Sequence, residues 1–253
     1  MTFAETELSD DKFLCGRLQL LQPLKGYRAA TDPVLLAAAC PATPGQSVLD
    51  LGCGAGAAAL CLGLRVPGLA LAGLELQPAY ADLCRRNADR NGIAVEVHEG
   101  DVSRMPKALR HDFDHVLANP PYHAADGSPS PVAARSKAMQ VTTPLGDWVG
   151  AATRRLRPGG WLTLICGADG LPDVLAGLAP KAGSPVVLPL TARAGRPALR
   201  VIVQARKGGR APFRLLAPFV IHDGPVHAGD RESYTPEASA VLRDGADLLA
   251  LFG

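Results

Sequence analysis

Asn119-Pro120-Pro121-Tyr122 brings together residue types that could grip a planar amine. The Asn side chain offers an acceptor, the two prolines remove backbone donors and stiffen the turn, and the Tyr presents a flat ring with a polar tip. Such a stretch makes a rigid, acceptor-lined notch beside an aromatic platform. It follows the apolar run Phe113 to Ala118, which reads as a buried strand, so the notch falls where the strand's C-terminal end opens outward. On their own, these four residues are equally compatible with a strand-terminating turn.

A second constellation decides between those readings. Val48-Leu49-Asp50-Leu51-Gly52-Cys53-Gly54-Ala55-Gly56 is a strand, a glycine turn and a helix start. Glycines let a ligand approach the backbone, and the helix N-terminus adds free N–H groups and partial positive charge. A nicotinamide site uses the same physics with wider glycine spacing and has no use for a carboxylate at Asp50. A ligand carrying an ammonium group does. Glu75, at the end of a second strand, is placed to accept both ribose hydroxyls of a nucleoside, and Asp101, past a third, could accept from an adenine amino group. Each acid alone reads as a solvated strand end. Successive strand ends carrying Asp50, Glu75, Asp101 and Asn119 describe a pocket for an adenosyl group with an amino-acid tail, S-adenosyl-L-methionine.

The elements that must position these residues alternate in a regular way. Thr31 or Asp32 caps a helix with Pro33 in its first turn and the run Val34 to Ala39 behind it. Ser47 to Leu51 is a strand, followed by a helix from Ala57 to about Arg65. Leu69 to Leu74 is a second strand, followed by a helix from Pro78 to Arg90 that Asn91-Gly92 closes. Ala94 to His98 and Phe113 to Ala118 are the third and fourth strands. A long polar loop over 123–136 is expected to gate or bind. A helix from about Leu145 leads through Arg157-Pro158-Gly159-Gly160 to a fifth strand, Trp161 to Cys166, and a helix near Leu171 to Leu178 follows. Val186 to Leu190 and Leu199 to Ala205 close the set, and Thr235 caps a last helix that Gly245 ends. The alternation predicts an α/β fold, a mostly parallel sheet with helices on both faces.

At 253 residues and 47% hydrophobic content, the chain is long and apolar enough for one large core. No apolar run approaches the roughly 20 residues of a membrane span, and the acidic start is unlike a signal peptide, so a cytoplasmic protein is expected. Six scattered cysteines without a C-x-x-C pair read as reduced thiols. In His111-Asp112-Phe113-Asp114-His115 alternation along a strand sends neighbouring residues to opposite faces, so no metal is expected. Trp148 and Trp161 read as packing residues. The formal charge of +2 hides an asymmetry: from Val174 to His222 there is no Asp or Glu, but Lys181, Arg193, Arg196, Arg200, Arg206, Lys207, Arg210 and Arg214. This run favours contact with a phosphate backbone.

Residues 26–206 resemble the small-domain class I methyltransferases with an Asn-Pro-Pro-Tyr signature. The combination of Gly26 to Asp32 with Leu35-Leu36, Val48 to Gly56, Asn119 to Tyr122 and Arg157 to Gly160 resembles, within them, the bacterial tRNA1(Val) adenine-N6 methyltransferases. That resemblance implies a Rossmann-like, seven-stranded sheet with a reversed last strand, and methylation of the adenine beside the anticodon. It also implies roles. Gly52, Gly54 and Gly56 wrap the methionine tail, with Asp50 and Thr31 near its charged ends. Glu75 holds the ribose with Leu76 against the adenine face, and Asp101 and Val102 address the adenine edge. Asn119, which also borders the cofactor, and the Pro120 carbonyl accept from the target amine. Pro121 completes the turn and Tyr122 stacks on the target base. Arg28, Arg193, Arg196 and Arg200 are the expected RNA contacts, while His123 either reaches substrate or merely opens the loop. The expected organisation is a cover or hairpin over residues 1–30, a methyltransferase domain over 31–206 and a C-terminal extension over 207–253 packed on it. A protein glutamine N5-methyltransferase uses the same signature on an amide, but with a helical N-terminal domain for which 46 residues before the first sheet strand are too few. Methylation of an adenine in ribosomal RNA or DNA is compatible with the same motifs, as is an RNA-binding module with a vestigial pocket.

Overall fold

Val48, Leu49 and Leu51 surround the acid of the first expected sheet strand, and all three are buried, because a parallel strand is covered on both faces. In the computed structural model, which describes residues 2–121, 143–179, 181–225 and 233–253, this strand is β3 (Ser47–Leu51) at the centre of the sheet. It pairs in parallel with β4 (Ala70–Glu75) on one side and β6 (Phe113–Ala118) on the other. Beyond β4 lies β5 (Val95–Glu99), and beyond β6 lies β7 (Leu156–Gly167), both parallel. The last long strand, β9 (Ala198–Lys207), runs antiparallel between β7 and β8 (Ala182–Thr191).

Seven long strands therefore stand in the order β8-β9-β7-β6-β3-β4-β5, as the resemblance implied. Among the described residues the sheet has nine strands, since β10 (Arg214–Leu215) and β11 (Phe219–Val220) add to the outer edge of β8. No sequence pattern marked them, because two residues are too few to show a period. The segment after residue 206 thus extends the sheet as well as packing on it.

Alternate strand residues feed two cores. Val48, Leu117, Ile165 and Ile202 face α1 (Thr31–Ala39), α2 (Ala57–Arg65) and α6 (Pro236–Asp244). Leu49, Val116, Leu164 and Val203 face α4 (Leu145–Arg155) and α5 (Leu171–Leu178). At about 1.5–3 kcal/mol for each large apolar side chain removed from water, these layers can carry an unpaired polar group at the ligand edge. The helix α3 (Pro78–Asn91) ends as expected, with Gly92 in the left-handed region (φ 62°). The start of α1 differs by a residue or two. Ala30 is its N-cap and Thr31 already lies inside, since the Asp32 carboxylate is taken by Arg200 instead of capping. A four-residue turn, α7 (Leu249–Phe252), ends the chain.

The first residues form an antiparallel hairpin, β1 (Leu8–Phe13) with β2 (Leu18–Pro23). An open strand edge invites unwanted pairing. Here the exposed edge of β2 is covered by α3: Leu21 N donates to Asn87 Oδ1 at 2.8 Å and Gln19 N to Asn91 Oδ1 at 2.9 Å. The hairpin is thereby fixed beside the C-terminal edge of the sheet.

Candidate active site

The glycine turn after β3 is shaped by close neighbours on both sides. Gly52 has φ 68°, and a Cβ there would lie 2.6 Å from the ring of Trp148 on α4. Gly56, the N-cap of α2 with φ 90°, would place a Cβ 2.7 Å from Cys84 Sγ on α3. Neither position tolerates a side chain. The turn is laced to the next strand, with Gly52 N and Cys53 N both donating to Leu74 O at 2.8 and 3.0 Å. Gly54 N donates to Glu75 Oε2 at 2.9 Å, so the acid at the end of β4 holds the loop.

Two of the four acidic or amide groups at the strand ends are buried without a cation. Asp50 is 2% exposed and its Oδ2 accepts only from Ala59 N, at 3.2 Å. None of the ion pairs among the described residues includes it. Burial, together with the nearby Glu75 charge, pushes its pKa up to about 7, against the pull of the Ala59 bond. Glu75 is 7% exposed and raised by burial too, partly offset by backbone N–H donors. Its Oε1 accepts from Gln77 N at 2.8 Å. Both oxygens are therefore already bonded, and Leu76 N is a third backbone donor to the carboxylate. Asp101 differs from expectation in being committed locally: it caps the short turn Val102–Arg104, accepting from Ser103 N at 2.7 Å. Val102 beside it is buried, while Leu76 is exposed beyond Glu75.

A single cleft joins Asp50, Gly52 and Asn119 with Tyr27, Ala29 and Pro33. Thr31 stands next to it at the start of α1; Glu75, Leu76, Asp101 and Val102 stand on the neighbouring strand ends, outside its lining. Asn119 emerges directly after β6 and donates from Nδ2 to Tyr27 Oη at 3.3 Å, which leaves Oδ1 to accept from a ligand. Pro120 is buried and Pro121 exposed. Tyr122, His123 and the expected gating loop over 123–136 lie outside the described residues. Sequence reasoning missed Tyr27 and Gln22, both of which line the cleft. The signal for Tyr27 was its place in Gly26 to Asp32, upstream of every sheet strand.

The basic run does not form one surface. At the rim that carries Asn119, Arg193 is tied to the carbonyls of Asp223 and Gly224, and Arg200 is paired with Asp32. Arg196 is exposed in the loop between β8 and β9. Arg206 lies over the half-buried Trp161 ring, 5.7 Å from its centre, and Lys207 bonds to Leu156 O; both are at the opposite edge, because β9 crosses the sheet. A ten-residue strand at about 3.4 Å per residue separates its ends by roughly 30 Å. Arg28 is held by the hairpin, through Asp11 at 2.5 Å and Ser9 Oγ at 2.7 Å. Arg28, Arg193 and Arg200 therefore have structural partners in addition to any RNA contact. His115 on β6 is buried against Gln46, at 2.8 Å, and His111, ahead of the strand, bonds to Ala108 O.

Strand order, the reversed strand and the glycine turn with its acid define a Rossmann-like class I methyltransferase fold, for which S-adenosyl-L-methionine is the cofactor. The methyltransferase small domain model matches residues 30–169, and the chain belongs to that family. A tRNA1(Val) (adenine(37)-N6)-methyltransferase of Yersinia pestis is 35% identical over 100 residues, 38% of this chain. The match spans only 40% of that relative's length. Among solved structures, a protein of Agrobacterium tumefaciens described as a predicted O-methyltransferase superposes with TM-score 0.70 at 26% identity, over 85% of this chain and 97% of its own. The 16S rRNA N2 G1207 methyltransferase of Thermus thermophilus, in complex with AdoMet and guanosine, has TM-score 0.54 at 22% identity, over 79% of this chain and 50% of its own. No helix among the described residues is long and apolar enough to cross a membrane.

Proposed function

We propose that this protein transfers a methyl group from S-adenosyl-L-methionine to the exocyclic N6 amine of an adenine in RNA, with a tRNA anticodon-loop adenine as the leading substrate. The observation that carries this reading is the Asn119 amide, held at the end of β6 by its Nδ2 bond to Tyr27 Oη and lining the cleft that contains Asp50 and Gly52.

The residues present fit the cofactor. Asp50 is a buried carboxylate without a cation among the described residues, suited to the ammonium of an amino-acid tail, and Gly54, with nothing within 4 Å of where a Cβ would lie, leaves the turn open at that point. Glu75 retains acceptor capacity for a diol, and Leu76 offers an apolar face. The cofactor supplies an electrophilic methyl group on a sulfonium. An aromatic NH2 is a poor nucleophile because its lone pair is delocalised into the ring. Acceptance of its hydrogens by Asn119 Oδ1 and the Pro120 carbonyl localises that pair and aims it. Positioning of this kind can supply about 7–11 kcal/mol, so no strong base is needed and the proton leaves after transfer. In the resemblance, Tyr122 stacks on the base, and a base in a loop must leave its stack to enter.

The RNA assignment draws on the partial likeness to the tRNA enzyme and on Arg196 at the rim. It places the protein in the cytoplasm. The test is transfer from labelled S-adenosyl-L-methionine to total bacterial tRNA lacking the modification, followed by nucleoside analysis. N6-methyladenosine in one tRNA species is expected. Label only in protein would instead assign an amide substrate, and label in ribosomal RNA alone would move the substrate off tRNA.

A further inference from the structure

Asn119 is oriented by a chain of contacts that begins outside the sheet. Its Nδ2 donates to Tyr27 Oη. The Tyr27 backbone is gripped on both sides by one side chain of α3: its N–H donates to Tyr80 Oη at 2.8 Å, and Tyr80 Oη donates to its carbonyl at 3.0 Å. Close approach here requires Gly26, whose φ is 125° and where a Cβ would lie 2.7 Å from Tyr80 Oη. Two residues on, the buried Gln22 of β2 clamps Ala29 as another strand would. Ala29 N donates to its Oε1 at 2.7 Å and its Nε2 donates to Ala29 O at 3.2 Å. Gln22 Nε2 and Arg28 both reach Asp11 Oδ2, at 2.6 and 2.5 Å. The backbone carrying Tyr27 is thus fixed to the hairpin and to α3, and the Tyr27 hydroxyl carries that anchoring to the end of β6.

We propose that Tyr27 is a positioning residue for methyl transfer, whose hydroxyl oxygen accepts from the Asn119 NH2 and so keeps Oδ1 as the group offered to the incoming amine. This rests on the proposed reaction. An amide turned the other way would set its own NH2 against the substrate NH2, two donors facing each other. A hydroxyl can bond either end of an amide, so the tether acts by fixing the amide plane, and the Nδ2–Tyr27 bond leaves Oδ1 as the free end before substrate arrives. The phenol is raised to about 12 by burial of its hydroxyl end and by the Asp32 charge, so it stays neutral over the working pH range. Its 3.3 Å bond is long, as such bonds commonly are before substrate binds.

The experiment uses the full chain as wild type, Tyr27→Phe, Asn119→Ala and the double variant. It measures single-turnover methyl transfer at saturating cofactor and tRNA, cofactor affinity, and the 15N-resolved side-chain amide signal of Asn119, identified by its loss in Asn119→Ala. Tyr27→Phe is expected to slow transfer roughly three- to tenfold, the effect of one neutral hydrogen bond, while cofactor and RNA affinity hold. The Asn119 amide protons should exchange faster with solvent in that variant. The double variant should be no slower than Asn119→Ala, because the tether has nothing left to hold. An unchanged rate in Tyr27→Phe, an unchanged amide signal, or losses that multiply in the double variant would overturn the proposal. The product nucleoside from wild type reports separately on the reaction: a wild type that methylates some other acceptor sinks the adenine assignment, while the Tyr27→Phe ratio on that acceptor still decides the tether. A wild type that transfers no methyl group overturns both.

Discussion

Asp50 and Asp114 sit on adjacent parallel strands, one near the ligand end of β3 and the other near the opposite end of β6. Their environments run in opposite directions. Asp50 has one backbone donor and no cation, and burial raises it to about 7. Burial would raise Asp114 as well, but Ser47 N at 2.8 Å, Ser47 Oγ at 2.9 Å and Arg157 at 2.5 Å outweigh that and hold it below the usual range. The arginines divide less cleanly, since Arg193 and Arg200 at the ligand edge also have partners. Arg157, Arg206 and Arg214 at the far edge cap carbonyls, a carboxylate or a ring, and Arg196 stands exposed at the ligand edge. One edge of the sheet is electrostatically complete, and the other lacks a cation where a cationic ligand would bring one.

The largest effect that could sharpen this contrast concerns the acceptor. Asn119→Ala should lose about 3 kcal/mol of barrier lowering, by analogy with other preorganised polar contacts, with cofactor binding intact. Near-normal turnover, measured in single-turnover kinetics, would remove Asn119 from the reaction. Next comes Asp50→Asn, which should weaken cofactor binding by on the order of 2 kcal/mol, the scale of a charge-assisted hydrogen bond. The same change should stabilise the unliganded protein. Between about pH 4 and 7 the native wild type keeps a proton on Asp50 that the unfolded chain has released, so this group's contribution to stability falls as pH rises through that window. Thermal melts should therefore show the variant ahead of wild type at pH 8 and level with it near pH 4; the reverse order would mean that Asp50 has a cation after all. In wild type, cofactor affinity should decline as pH falls below about 7, where the carboxylate takes up its proton. A smaller effect separates the two edges as RNA contacts. Arg196→Glu should reduce RNA affinity and flatten its salt dependence by a slope of about 1, whereas Arg206→Glu should leave both unchanged. Equal losses in filter-binding titrations would restore a single basic surface. Smallest is Arg157→Ala, where a half-exposed ion pair predicts a loss within about 1 kcal/mol by denaturant titration and no change in cofactor affinity.

Most of the sheet could be read in advance because its long strands, apart from the polar β5, are largely runs of buried apolar residues bounded by glycine, proline or an acid. The termini of β3, α2 and β6 fall where those signals put them. The acids at the strand ends were legible for the same reason: a carboxylate just past an apolar run has few purely structural uses. What escaped was set by contacts distant in sequence. Tyr27 meets Asn119 across 92 positions, and Gln22 acts as a strand partner for Ala29 without belonging to the sheet. The charge run over 174–222 misled because composition counts residues along the chain, whereas a strand crossing the sheet sends the two ends of such a run to opposite edges. Arg28, Arg193 and Arg200 likewise acquired partners that no local pattern announces.

The reversed direction of β9 has a consequence for how such a protein can diverge. The strands β3, β4, β5 and β6 reach the ligand edge with their last residues, which lead into the glycine turn, Glu75, Asp101 and Asn119. The turn between β8 and β9 reaches that rim from a hairpin, and its length can change without shifting the register of any parallel pair. Descendants of one ancestor can therefore lengthen or recharge that turn while inheriting the parallel half of the sheet unaltered.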